Sequence, residues 1–284
     1  MSVIFDRKNV FKSGYNFHVE AFDSAMEVVK TCRERKITDS CFDDQSKKSF
    51  GKWEGVKSYD EALDLLNNGY QPTVDALRGV FKAGMNGEGT RFSFKNNIVG
   101  FMPVVPLALM NLPNCMIDMT MKPIKAKVID VYYDMTVGSG TDSKDIIKAG
   151  QKMLGTIIEL ERQGYRFNLY AVQTYSNDSQ GCDMLVVKVK SAGQPLDLKR
   201  ISFPLTHTAF FRVIGFDWYS KVPGGTYRFS YGHALAYDYS TKKLNEMAKH
   251  VFGKNSVYFA CKEIIENDTE YIKKAVMDNG NSKA

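Results

Sequence analysis

Apolar residues recur at helical spacing in several stretches of the chain. In "DSAMEVVKTCRERK" Ala25, Val28, Val29 and Cys32 fall on one side and predict a helix near 22–35. "KSYDEALDLLNNGY" predicts another, in which Ser58 and Glu61 form a capping box, Tyr59, Ala62, Leu65 and Leu66 an apolar stripe, and Gly69 a C-terminal cap. "SKDIIKAGQKMLGTIIELERQG" places Ile146, Ala149, Gly150, Met153, Ile157 and Leu160 on one face and stops at Gly164. The runs "KAKVIDVYYD", "YRFNLYAVQTY", "DMLVVKVKS" and "SVYFAC" read as strands, the second and third joined by the hairpin turn "SNDSQGC". "FPLTHTAFFRVIGFDWYS" is expected to begin as a strand end and continue as a helix. Helices near 241–252 and in "DTEYIKKAVMDNG" complete the pattern.

The intervening stretches lack a period. "ITDSCFDDQSKKSFGK" reads as a loop and "GMNGEGTRFSFKNNIVG" as flexible turn chemistry. "FMPVVPLALMNLPNCM" is apolar, but Pro103, Pro106 and Pro113 prevent one long helix, so a buried extended crossover is expected. From 124 onward strands alternate with helices, which predicts an α/β protein with a three-layer, Rossmann-like core over 121–284. Residues 1–120 are expected to form a helical, loop-rich N-terminal region.

Composition narrows the functional classes. With 284 residues, 44% of them hydrophobic, the chain can bury a sizeable core. The net charge of +6 is spread among interleaved charges, which mildly favours acidic partners without marking a dedicated nucleic-acid face. Five cysteines with no C-x-x-C pair suggest neither a disulfide framework nor a zinc site, and fit a reducing compartment. The N-terminus carries charge by Asp6, and no apolar run reaches the ~18 residues of a membrane span, so a soluble intracellular protein without a membrane partner is expected.

The stretch "DVYYDMTVGSGTDSKDIIKAG" is the richest in candidate chemistry, because a Gly/Ser/Thr/Asp turn links a strand to a helix. Three readings are open. A dinucleotide turn would use Gly138 and Gly140, but Ser143 stands where a third glycine belongs, and Asp134, Asp142 and Asp145 would repel phosphate; no Gly-Lys-Ser/Thr follows for a P-loop. A divalent site, most naturally Mg²⁺, would use oxygens of Asp134, Thr136 and Ser139. In the structural reading Asp142 or Ser143 caps the helix, and Asp134 accepts hydrogen bonds from turn amides.

Elsewhere, His207, Arg212 and Asp217 could supply a base, an anion clamp and an acid, with Thr208 capping a helix over 208–220 and Thr206 near it. No nucleophile accompanies them, and a capped helix burying Phe210, Phe211, Val213 and Ile214 explains the segment as well. His18, His233 and His250 lack metal-ligand spacing, and no G-x-S-x-G elbow occurs. "TYRFSYGHALAYDYS" brings Tyr227, Arg228 and Tyr231 together with further aromatics; such residues stack bases or fill protein interfaces, and a single basic residue favours the latter.

The stretch Asp134-Met135-Thr136-Val137-Gly138-Ser139 resembles the D-x-S-x-S metal-adhesion motif of von Willebrand A-type domains, with Gly138 at the third ligand position and Ser139 displaced by one. The resemblance implies a von Willebrand A-like sheet, and a later threonine, Thr206 or Thr208, completing the shell. "WEGVKSYDEALDLLNNG", "PNCM", "LERQGYRFNLY", "ISFPLTHTAFFRVIGF" and "SVYFACKEIIENDTEYIKKAVMDNG" together resemble a mostly phage-encoded family of unknown function. That resemblance implies expression in the cytoplasm of a bacterial host. The expected function is non-enzymatic binding or assembly in phage–host interaction, such as countering host defence, or in particle building, through a protein partner or a homo-oligomer and a loop edge that Mg²⁺ could bridge. The alternatives are a metal-dependent phosphoester enzyme using Asp134 with Asp142 or Asp183, and a nucleic-acid-binding protein.

Overall fold

The computed structural model describes residues 2–11, 14–38, 42, 44–85, 90–123, 127–138, 140–177, 181–223 and 233–281. In chain order the elements are β1 (Val3–Arg7), β2 (Asn16–Phe22), α1 (Ala25–Glu34), α2 (Tyr59–Asn68), α3 (Gln71–Met85), β3 (Thr90–Asn97), β4 (Met102–Pro103), α4 (Val105–Leu109) and β5 (Met116–Pro123). They continue with β6 (Lys127–Asp134), α5 (Ser143–Arg162), β7 (Tyr165–Asn177), β8 (Gly181–Lys190), α6 (Leu198–Thr206), a π-helical stretch Phe210–Gly215, α7 (Phe216–Lys221), α8 (Thr241–Phe252), β9 (Ser256–Ala260), α9 (Cys261–Glu266) and α10 (Thr269–Asn281).

A six-stranded mixed sheet of order β1-β2-β8-β7-β6-β9 forms the centre. β6 runs parallel to both β7 and β9, β8 is antiparallel to β7 and parallel to β2, and β1 closes the far edge antiparallel to β2. Alternation along the strands feeds two cores. Ile129, Val131 and Tyr133 of β6 join the larger one with residues of α1, α2, α3, α5, α6 and α10. Tyr132 and Tyr258 face the smaller one, covered by Leu244, Met247 and Val251 of α8. The fold is therefore α/β, with helices on both sheet faces.

β1 and β2 belong to this sheet although they precede residue 120. Glu20 of β2 is buried, accepts a two-pronged bond from Arg35 at 2.8 and 2.7 Å, and accepts the Trp218 indole N–H at 2.8 Å, which ties β2 to α7.

Local signals explain most elements. Ser24, Ser58, Asp142 and Asp197 accept backbone N–H groups at the starts of α1, α2, α5 and α6. The strand end expected before Thr206 is instead helical, since Asp197 caps α6 and Leu198, Ile201 and Leu205 are buried at helical spacing despite Pro204 inside it. β3, expected as turn, is a strand paired with β5.

Helices α5 and α6 pack closely enough that a Cβ at Gly150 would overlap the Leu205 carbonyl oxygen and lie 2.8 Å from the Thr206 Cα. Backbone atoms cannot swing aside, so Gly150→Ala should destabilise the fold by about 1–3 kcal/mol, more than its gain in helix propensity of roughly 1 kcal/mol. Denaturant unfolding should show a lower midpoint with unchanged slope; a variant as stable as the parent would contradict this packing.

Candidate functional site

The strand β6 ends at Asp134, flanked on both sides by parallel neighbours. Its carboxylate is fully buried. Oδ1 accepts the Thr136 N–H at 2.9 Å, and Oδ2 accepts the hydroxyls of Thr174 at 2.8 Å and Tyr258 at 2.5 Å. The Thr136 hydroxyl in turn accepts the Thr174 N–H at 2.8 Å. Burial raises the Asp134 pKa above the ordinary carboxylate range, and the Tyr258, Thr136 and Thr174 donors oppose that rise.

The turn that follows is held from two sides. The Gly138 N–H donates to the Tyr237 hydroxyl at 3.1 Å, and the Trp53 indole N–H donates to the Thr141 carbonyl at 2.8 Å. Asp142 accepts the Lys144 N–H and starts α5. Beneath Tyr237, Ser176 bonds the Tyr15 hydroxyl at 2.7 Å, and His233 Nε2 lies 2.6 Å from Asp238 Oδ2. No local pattern marks this cluster, because its members come from four separate segments.

Trp53 also links the turn to the 206–212 segment. Thr208 donates to the Trp53 and Glu54 carbonyls, both at 3.0 Å, and so does not cap the helix as expected. His207 takes that place, its Nδ1 accepting the Ala209 N–H at 3.2 Å. The ring is packed against Tyr70 and Phe203, and burial pushes its pKa down to about 4. Thr206 lies deeper, donating to the Ser202 carbonyl at 2.7 Å and lying 3.0 Å from the Thr73 hydroxyl between α3 and α6.

Arg212 sits on the π-helical stretch. Its guanidinium lies 4.7 Å from the Trp53 ring centroid and 5.0 Å from each of Phe211 and Phe216. Burial lowers its pKa. The widened turn is held by Gln173, which donates to the Phe210 carbonyl at 3.1 Å. Gln173 Oε1 fills the space where a Cβ of residue 215 would stand, so Gly215 is required there. The remaining sequence candidates, Ser139, Tyr227, Arg228 and Tyr231, lie outside the described residues.

The segment expected to be a buried crossover is exposed. β3, β5 and β4 form a separate three-stranded sheet that, with α4, makes no substantial packing contact with the main sheet or its helices among the described residues. The register sets Phe92 opposite Met121, Phe94 opposite Met119 and Ile117 opposite both Asn96 and Met102. At the alternate positions Arg91 stands opposite Lys122 and Lys95 opposite Asp118 in the register. Phe94 and Phe101 are each 61% exposed and Leu109 is 82% exposed, with Ile98, Val99 and Met110 exposed beside them. Hydrophobicity was legible in the sequence. The alternation in "TRFSFKNN" and "MIDMTMKP" was the overlooked sign of a two-faced sheet.

A family model described as a domain of unknown function, DUF7192, matches residues 8–275. The chain belongs to that family. No curated protein and no solved structure matches the chain. The DUF7192 match takes in the main sheet from β2 onward, the buried turn and the exposed arm alike.

His207 gives a test of the buried segment. As a base whose folded-state pKa falls from 6.5 to about 4, it stays neutral in the fold while the unfolded chain takes up a proton. Its contribution is complete above pH 6.5 and is lost as pH falls toward 4, by about 2 kcal/mol after allowing for relaxation. The stability difference between wild type and His207→Gln should therefore narrow across that window in chemical unfolding; a constant difference would show that the ring titrates normally.

Proposed function

We propose that this DUF7192 chain is a non-enzymatic protein-binding or assembly protein, and that the 90–123 arm is its docking element. The observation that carries the reading is the exposed apolar surface of residues between Phe94 and Leu112, on elements that make no substantial packing contact with the body among the described residues. Taking about 150–200 Å² for a large side chain, it presents roughly 700–1,000 Å². The largest apolar patch on a typical monomer is about 300–600 Å², and a stable complex covers about 800 Å² on each partner.

The rim above Asp134 is less suited to docking. Its carboxylate acceptors are filled by Thr136, Thr174 and Tyr258, and among the described residues no three His, Cys, Asp or Glu side chains gather as metal ligands. Mg²⁺ would have to displace those hydroxyls, so the described donor set does not fit the ion and no step is assigned to it. The phosphoester alternative meets the same obstacle, because Asp142 caps α5 and Asp183 is buried in β8.

The order β6-α5-β7-β8-α6 supports a von Willebrand A-like core. The resemblance of the quoted segments supports a phage-encoded protein acting in phage–host interaction or particle building in the bacterial cytoplasm. The free thiols of Cys32, Cys115, Cys182 and Cys261 suit a reducing compartment. No helix among the described residues is long and apolar enough to cross a membrane.

Phe94→Ser combined with Phe101→Ser and Leu109→Ser should leave the melting temperature within about 2 °C, since these side chains support no core. The same variant should lose the partner that wild type captures from infected bacterial cells, read as the native mass of the assembly. Undiminished capture, or metal-dependent turnover that Asp134→Ala abolishes in a folded protein, would defeat the reading.

A further inference from the structure

We propose that the cleft between the end of α1, the start of α2 and α7 binds a small phosphorylated sugar or polyol, its phosphate held by Arg33, Lys36 and Lys221 and a hydroxyl received by Asp60. The cleft encloses about 460 Å³, within the roughly 300–1,000 Å³ of small-molecule sites, and none of its lining residues belongs to the arm.

Its lining is charged, and most of that charge is paired internally. Glu20 engages Arg35, Lys221 Nζ lies 2.6 Å from Asp217 Oδ1, and Asp44 Oδ2 lies 3.2 Å from Lys47 Nζ. Burial raises the pKa of Cys32 and of Tyr59, so both stay neutral. What remains is Arg33 and Lys36, with no acidic partner among the described residues, against Asp60 alone. The cleft therefore favours an anion.

A basic residue in the last turn of a helix favours the helix dipole, which already accounts for Arg33. It does not account for Lys221, which comes from α7, is only 8% exposed and has Asp217 as its one partner among the described residues. An ammonium carries three N–H groups, and buried donors left without acceptors are costly. The oxygens of an anion in the cleft would meet them.

The same residues select the kind of anion. A planar carboxylate is best held by a rigid guanidinium fork, but the Arg35 fork is already filled by Glu20 at 2.8 and 2.7 Å. Lysine ammoniums act as point charges and suit phosphate oxygens. The cleft is roomier than one phosphate group requires, and the unpaired Asp60 carboxylate beside it suits a hydroxyl donor.

Titration calorimetry on the whole chain would use the phosphate monoesters of ribose, glucose and glycerol, with inorganic phosphate, free ribose and citrate as controls. At least one monoester should bind more tightly than every control, and its affinity should fall as salt rises. Arg33→Ser combined with Lys36→Ser alters exposed side chains only, so the unfolding midpoint should hold while monoester affinity falls about tenfold or more. Lys221→Met combined with Asp217→Asn removes the buried donor without leaving a lone carboxylate, and should abolish binding in a folded chain. If that variant fails to fold, the Arg33→Ser/Lys36→Ser titration decides. No binding of any monoester, binding of a control as tight as the best monoester, or an affinity changed less than twofold by Arg33→Ser/Lys36→Ser would overturn the proposal. None of these readouts depends on the arm.

Discussion

A carboxylate without solvent must be met by donors, and Asp134 is met from three directions. Thr136 approaches along its own chain, Thr174 from β7 and Tyr258 from β9. Removing any donor would leave a buried acceptor short of a partner, so the residue ties the end of β6 to its two neighbours, β7 and β9. The same arrangement decides what the rim can do. Oxygens already held at hydrogen-bond distance by Thr174 and Tyr258 have little left to offer a ligand arriving from outside.

Buried charge is used in the same way elsewhere in the body. Glu20 gathers Arg35 and Trp218, Asp217 is shared by Lys221 at 2.6 Å and the Tyr59 hydroxyl at 2.9 Å, and Lys190 reaches Glu161 at 2.7 Å together with the Phe167 carbonyl. Each joins segments far apart in sequence, and through Glu20 the first strands are locked to α7. Such partners fix one arrangement of layers that apolar packing alone leaves less defined.

The sequence was readable where a signal is local. α1, α2, α5 and α8 combine caps with an apolar stripe, and β6 through β9 combine strand-length apolar runs with turn residues, so their places were legible. α6 was misread because Pro204 and β-branched neighbours look extended out of context, while the Asp197 cap and the packing of α5 outweigh them. The roles of Trp53 and Tyr237 at the turn were hidden for a different reason. Their bonds span 88 and 99 residues of sequence, and no local pattern encodes such distances.

The arm exposes the limit of reading hydrophobicity alone, since a pattern says which face avoids water and not what will cover it. Its shape is internally supported: the Phe101 N–H donates to the Ile117 carbonyl at 3.0 Å, the Val104 N–H to the Cys115 carbonyl at 2.7 Å, and Pro103, Pro106 and Pro113 have no donor to satisfy. A surface that keeps its form without the core can change its side chains without disturbing the core. The body, by contrast, holds its polar groups in mutual bonds across strands and helices, where a single substitution spreads. Polar bonding across layers is therefore concentrated in the main sheet and exposed apolar area in the arm, a division that lets the arm's side chains vary while the Asp134 clamp stays fixed.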